Sequence, residues 1–84
     1  MITIYGTASC GACINAINLC RKNNLTFRYK DVSFRQHYIE CEQLGVDMTK
    51  IPHITVDKHY IGCYNSLKEY IWEQNAKRQD NRMV

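Results

Sequence analysis

Hydrophobic and polar residues alternate at two different periods along this chain, and the switches between them mark its elements. Ile2-Thr3-Ile4-Tyr5 is a short β-prone run that stops at Gly6. Thr7 to Ser9 make a polar loop, and Ser9 is a residue type suited to the N-cap region of a helix. Beyond it, Cys13, Ala16, Ile17 and Cys20, with Leu19 beside them, fall at helical spacing until Asn23-Asn24 stops the pattern. TFRYKDV, residues 26–32, reads as a strand, because Phe27 and Tyr29 alternate with Arg28 and Lys30. Residues 34–44 form a short helical pattern ending at Gly45, with Tyr38, Cys41 and Leu44 about one turn apart. The single proline, Pro52, precedes an alternating Ile54 and Val56; Asp57-Lys58 can turn the chain, and Tyr60-Ile61 continues as a partner strand up to Gly62. The last helix is predicted from about Asn65 to Ala76 with Leu67, Tyr70 and Ile71 as its apolar face, and the polar residues 77–84 are expected to fray.

The resulting order is β-α-β-α-β-β-α. A helix between the first two strands is a βαβ crossover, which requires those strands to be parallel, whereas the last two form an antiparallel hairpin. The simplest closure is an α/β fold of the thioredoxin type, a four-stranded mixed sheet flanked by three helices. One domain over residues 1–76 with a polar tail at 77–84 accounts for the whole chain. At 84 residues it has material for one modest core.

Charge and composition narrow the classes of function. Eleven basic against eight acidic side chains give +3, but the basic residues are scattered and form no stripe of the kind that tracks nucleic acid. No segment approaches the roughly 18 consecutive apolar residues of a membrane span, and no basic region followed by an apolar run opens the chain. A cytoplasmic monomer with neither a nucleic-acid nor a membrane partner is expected. Cys10, Cys13, Cys20, Cys41 and Cys63 are an odd number of cysteines, which cannot all pair within one chain. In a reducing compartment most of them are thiols and any disulfide is transient.

The chemistry concentrates in Cys10-Gly11-Ala12-Cys13. A Cys-x-x-Cys between a strand and the first turn of a helix, beside a βαβ pattern, is a redox signature. Unpaired backbone N–H groups and the helix dipole stabilise a thiolate at that end, which is the attacking form. Cys10 would hold the exposed position, with Cys13 a turn further in and close enough to attack a mixed disulfide on Cys10. Gly11 and Ala12 leave the first thiol open. The rival reading is half of a metal site, since Cys20, Cys41, Cys63 and three histidines are also present; no second Cys-x-x-Cys or paired histidines follow, and no metal is expected.

Four separated features resemble the glutaredoxin family: TIYGTASCGAC after the first strand, FRYKDV as the second, KIPHITVD, and YIGCYNSLKEYI. The resemblance covers residues 1 to about 73. It implies a thiol–disulfide oxidoreductase that reduces protein disulfides and glutathione mixed disulfides, with glutathione as co-substrate. Cys10 is then the nucleophile and Cys13 the resolving thiol. Pro52 is a cis-proline facing them, and the backbone of Ile51 pairs with glutathione or a substrate peptide. Ser9 and Gly11 flank the nucleophile on the substrate side. Gly62 allows close backbone approach, while Tyr64, Asn65 and Ser66 begin the last helix, whose N–H groups hold a glutathione carboxylate. Ribonucleotide reductase is among the disulfide partners the resemblance implies. Departures from the family pattern are Thr7 in place of a lysine, Gly-Ala in place of Pro-Tyr between the cysteines, Cys63 in place of a second turn glycine, and Asn65 and Ser66 in place of two acids. Two alternatives stay open: a redoxin reduced by thioredoxin reductase, and a metal- or iron–sulfur-binding module using the Cys-x-x-Cys.

Overall fold

Period-two alternation in short strands forces each side chain to one face or the other of a sheet, and here the two faces differ in kind. The computed structural model describes the backbone of residues 1–83 and the side chains of residues 1–75. Its elements follow the expected order: β1 (Ile2–Gly6), α1 (Gly11–Lys22), β2 (Phe27–Asp31), α2 (Arg35–Glu42), β3 (His53–Val56), β4 (His59–Gly62) and α3 (Tyr64–Met83). The strands form one mixed sheet in the order β2-β1-β3-β4. β1 and β2 are parallel, with Ile2 opposite Phe27 and Gly6 opposite Asp31. β3 runs antiparallel to β1, with Ile4 opposite Ile54, and β4 antiparallel to β3. Asp57 and Lys58 turn that hairpin with φ of 50° and 71°, the left-handed pair that matches the twist of a two-residue connection.

One face carries Ile2, Ile4 and Ile54, which pack with Ala16 and Cys20 of α1 and Leu67 and Ile71 of α3 into the core. Its large aliphatic side chains Ile4, Ile54 and Leu67 are fully buried, and each contributes about 1.5–3 kcal/mol by leaving water. The length of α1 is set at its C-terminus. Asn24 takes φ 57°, and the Leu25 N–H donates to the Cys20 carbonyl (2.9 Å) while the Asn24 N–H donates to Arg21 (3.1 Å). That is a Schellman stop with asparagine in the place usually held by glycine, and it turns the chain directly into β2.

The opposite face is polar: Thr3 stands between Arg28 and Thr55, and Tyr5 between Lys30 and His53. α2 attaches to it through charge and one buried thiol, Cys41. Glu40 Oε2 accepts from Lys30 Nζ at 2.6 Å and from the Tyr5 hydroxyl at 3.0 Å, and the Lys30 ammonium lies 5.9 Å from the centre of the Tyr5 ring. Burial, with Glu40 beside it, pushes the Tyr5 phenol up to about 12, so it stays a donor. Beyond α2 the same face opens into a groove of about 610 Å³ lined by Thr3, Arg28, Thr55 and Lys58 among others.

Three expectations are corrected. α2 begins one residue later and ends two residues earlier than 34–44, with Phe34 at its N-cap position. Tyr38 is exposed, because the short helix turns only Cys41 fully inward. Trp72 is 72% exposed, since Leu67 and Ile71 already define the buried stripe one position away. The helical backbone of α3 starts at Tyr64 and continues past Ala76 to Met83. No described helix is long and apolar enough to cross a membrane.

Lys30 first, then Tyr5, holds the Glu40 carboxyl below its ordinary value near 4.5. A carboxylate depressed in the folded state stabilises the fold above its unfolded value, and that contribution is lost as pH falls through the folded one. Glu40→Gln should therefore lower stability at pH 7 by about 0.5–1 kcal/mol, the range of a partly exposed ion pair. In urea titrations the gap between the two proteins should close as the pH is taken below about 4.

Candidate active site

β1 delivers the chain to the site through a glycine that cannot be replaced without movement. An ideal Cβ on Gly6 would stand 2.9 Å from Cys13 Cβ and would overlap the Cys13 sulfur. Cys13 therefore rests on bare backbone at the end of β1 and is fully buried. Across the parallel pair, Asp31 lies opposite Gly6, and the Val32 N–H donates to the Gly6 carbonyl at 2.9 Å. Asp31 Oδ1 accepts from the Ser33 hydroxyl (2.6 Å) and backbone N–H (2.9 Å), which hold its carboxyl below the usual range. Tyr29 lies close by, and its buried hydroxyl has no hydrogen-bond partner among the described residues.

Residues 7–9 turn the chain, with the Cys10 N–H donating to the Thr7 carbonyl at 3.2 Å. The helix cap is Cys10 itself and not Ser9. Cys10 has extended backbone (φ −90°, ψ 116°), and its sulfur accepts the Cys13 N–H at 3.3 Å. The Cys-x-x-Cys spacing explains this: it puts Cys13 at the third helical residue, whose N–H a cap side chain normally satisfies. Ser9 is exposed, its hydroxyl 3.5 Å from that of Thr7, and Gly11 is exposed with open space around it.

A second segment meets the sulfur from the other side. The Ile51–Pro52 peptide is cis, Pro52 is buried, and Cys10 Sγ lies 3.8 Å from the Ile51 carbonyl, to which its S–H donates. The half-buried Cys10 sulfur thus has one donor and one acceptor on hand. The carbonyl accepts the S–H, and the Cys13 N–H is aimed at the sulfur from the helix side. Cys13 has the opposite environment. Burial first, and its hydrogen bond with Cys10 second, push its thiol up to about 12. Burial also raises Cys20, and raises Cys41 to about 11.

Gly62, Tyr64, Asn65 and Ser66 form a neighbouring group. Gly62 stands opposite Ile54, which brings the start of α3 alongside the Pro52 end of β3. Gly62 has φ 127°, and a Cβ there would come within 2.9 Å of Ser66 Cβ, so the first turn of α3 sits directly over it. The exposed Cys63 precedes the helix, and its carbonyl accepts the Leu67 N–H at 3.1 Å. Tyr64 and Ser66 are half-buried and Asn65 is exposed. Cys10, Cys13 and Ile51 are thus joined by contacts, Pro52 follows through its cis peptide, and the α3 residues connect to this group only through Gly62, which stands opposite Ile54. Among the described residues, no three His, Cys, Asp or Glu side chains form a group able to hold a metal ion.

Two residues important to this geometry carried no clear signal in the sequence. Gly6 reads only as a strand end, although a glycine leading into Cys-x-x-Cys is itself a sign of close approach. His53 reads as an ordinary strand residue, yet it is 5% exposed and hydrogen-bonded at both ring nitrogens.

No protein-family model and no curated protein matches the chain. Solved structures do. The chain is similar to reduced Escherichia coli glutaredoxin, with 25% identity over 86% of this chain and 93% of that one and a TM-score of 0.70. It shares the fold of glutaredoxin 1 from Francisella tularensis, solved with cacodylate (21% identity, 95% of each chain, TM-score 0.65). It also shares the fold of the Brucella melitensis glutaredoxin (23% identity, 94% of this chain and 84% of that one, TM-score 0.63).

The burial pattern separates the five thiols experimentally. Iodoacetamide on the reduced native protein should label Cys10 and Cys63 and spare Cys13, Cys20 and Cys41 until denaturant is added, as read by peptide mass mapping. Gly6→Ala should cost about 1–3 kcal/mol, the range for forcing a methyl into packed space. It should also admit label at Cys13 by lifting the first turn of α1 off β1.

Proposed function

We propose that this chain, a thiol–disulfide oxidoreductase of the glutaredoxin family by its fold and its 25% identity to the E. coli protein, uses Cys10 and Cys13 as its reacting pair and glutathione as its reductant. The observation that carries the reading is the placement of the Cys10 sulfur between the Cys13 N–H at 3.3 Å and the Ile51 carbonyl at 3.8 Å.

In this reading the Cys10 thiolate attacks one sulfur of a substrate disulfide. A Cys10–substrate disulfide forms, the old S–S bond breaks, and the displaced thiolate takes up a proton. Cys13 then attacks the Cys10 sulfur, forming the Cys10–Cys13 disulfide and releasing the reduced substrate. Two glutathione thiols return the dithiol in the same two kinds of step and leave as glutathione disulfide. The high value of Cys13 has a use in this sequence. Its first cause is burial, which keeps the inner sulfur a thiol and leaves Cys10 as the one that meets substrate.

The backbone of Ile51 and the ring of Pro52 form the wall against which the substrate chain would lie, with Ser9 and Gly11 on the open side. Gly62, Tyr64, Asn65 and Ser66 would receive a glutathione carboxylate at the N-terminus of α3. Neutral Asn65 and Ser66 would do so by hydrogen bonding. Disulfide-bearing proteins, ribonucleotide reductase among the candidates, are the corresponding partners.

The decisive assay couples glutathione, glutathione reductase and a glutathione mixed disulfide. Wild-type protein should turn over, and Cys10→Ser should lose activity by at least about 10³-fold, as expected when a nucleophile is removed. Cys13→Ser should keep turnover of the glutathione mixed disulfide but lose reduction of protein disulfides. Turnover with thioredoxin reductase and none with glutathione would overturn the glutathione assignment and leave the dithiol chemistry standing.

A further inference from the structure

The segment that presents Ile51 to Cys10 is not part of the sheet. Residues 43–52 lie between α2 and β3, and among the described residues no backbone hydrogen bond of the sheet, turns or loops involves Ile51. Its position against the sulfur must come from elsewhere. The turn before it is locally closed: Asp47 Oδ1 accepts from the Thr49 N–H (2.9 Å) and hydroxyl (2.6 Å), and the Asp47 carbonyl accepts from the Lys50 N–H at 3.1 Å. Such a turn is a compact unit, but nothing within it fixes the unit to the fold.

His53 supplies that fixation. It is the first residue of β3, 5% exposed, and opposite Tyr5 on the polar face of the sheet. Its Nε2 lies 2.7 Å from the Asp47 carbonyl, which can only accept, so Nε2 carries a proton and donates it. Its Nδ1 lies 3.0 Å from the hydroxyl of Tyr60 on β4, and the two rings lie 5.7 Å apart. The buried imidazole therefore has both nitrogens engaged, one to the turn and one to the hairpin strand. The result is a closed loop from Asp47 to His53 with Ile51 and Pro52 inside it, hung on the ladder between β3 and β4.

We infer that His53 is a positioning residue for substrate: by clamping the Asp47 carbonyl it holds the Ile51–Pro52 segment at the distance from Cys10 that a disulfide substrate needs. The inference rests on the reading of Ile51 as the backbone contact for substrate. His53 touches neither the substrate nor a reacting sulfur. Its loss should weaken binding and alignment of substrate while leaving the intrinsic reactivity of Cys10 in place, because the Cys13 N–H and the helix end that serve the sulfur belong to α1.

The test compares His53→Leu, which removes both bonds, with His53→Gln, whose amide can still donate to Asp47. With a glutathione mixed disulfide and with a peptide disulfide, His53→Leu should raise KM about tenfold. His53→Gln should recover most of that loss. Alkylation of Cys10 by iodoacetamide should stay within about twofold of wild type in both variants. Equal losses in the two variants, unchanged KM in a folded His53→Leu protein, or a parallel fall in alkylation would overturn the inference. A second measurement needs no variant: the Nε2 proton should give a slowly exchanging imidazole resonance in the native protein, and its absence would also overturn it. Should wild type turn over the peptide disulfide but not the glutathione substrate, the glutathione reading fails, and the peptide arm and the resonance still decide the role of His53.

Discussion

The contact on which the site depends is the seating of Cys13 on Gly6. A helix that follows a strand through a loop of four residues could approach the sheet at a range of depths. The missing side chain at Gly6 lets α1 descend until the Cys13 side chain meets backbone, and in close-packed protein that depth is not negotiable. Three consequences follow. Cys13 is removed from solvent, its N–H is fixed beneath the Cys10 sulfur, and that sulfur is brought level with the Ile51 carbonyl of the segment leading into β3. A larger residue at position 6 would alter all three at once, so the chemistry of the pair is set at the end of a strand and not within the Cys-x-x-Cys.

The two faces of the sheet divide the work. The apolar face, closed by α1 and α3, supplies cohesion through Ile4, Ile54 and Leu67. The polar face supplies orientation. There α2 is held by Glu40 between Lys30 and Tyr5, and the turn before β3 is held by His53 between Asp47 and Tyr60. Hydrophobic burial is non-directional and tolerates small shifts, whereas a hydrogen bond fails when its geometry moves. It is consistent that the segment bearing Ile51 is tied by the second kind of interaction, since its distance from Cys10 is the quantity that matters.

What could be read from the sequence follows the same division. Periodicity reports burial, so the four strands, the three helices and the core positions Ala16, Cys20, Leu67 and Ile71 were legible. The glycine and asparagine stops at residues 24, 45 and 62 were legible because each has a positive φ that few residues accept. The Cys-x-x-Cys and the Ile-Pro pair were visible as local motifs. Interactions between residues distant in sequence and polar at both ends were not. Nothing local distinguishes Glu40 from a solvated helix glutamate, or His53 from a strand residue. The N-cap went to Ser9 because serine is the commoner cap, whereas here the redox motif itself places sulfur at the capping position. Tyr38 was grouped with Cys41 and Leu44 by helical spacing, and a helix this short turns only Cys41 fully inward.

The proposed mechanism requires the two sulfurs of the Cys-x-x-Cys to have unlike environments. If both were at the helix end, both would ionise and repel each other, and either could attack or be attacked. If both were buried, neither would reach substrate. One turn of helix separates the two requirements: Cys10 at the open end meets a donor and an acceptor, while Cys13 one turn below loses water and is raised to about 12. Burial is the larger part of that rise and the nearby Cys10 the smaller, so the inner sulfur is kept a thiol chiefly by its place in the core. The contact that joins the two environments is the Cys13 N–H on the Cys10 sulfur, and its position is set by the seat that Gly6 provides.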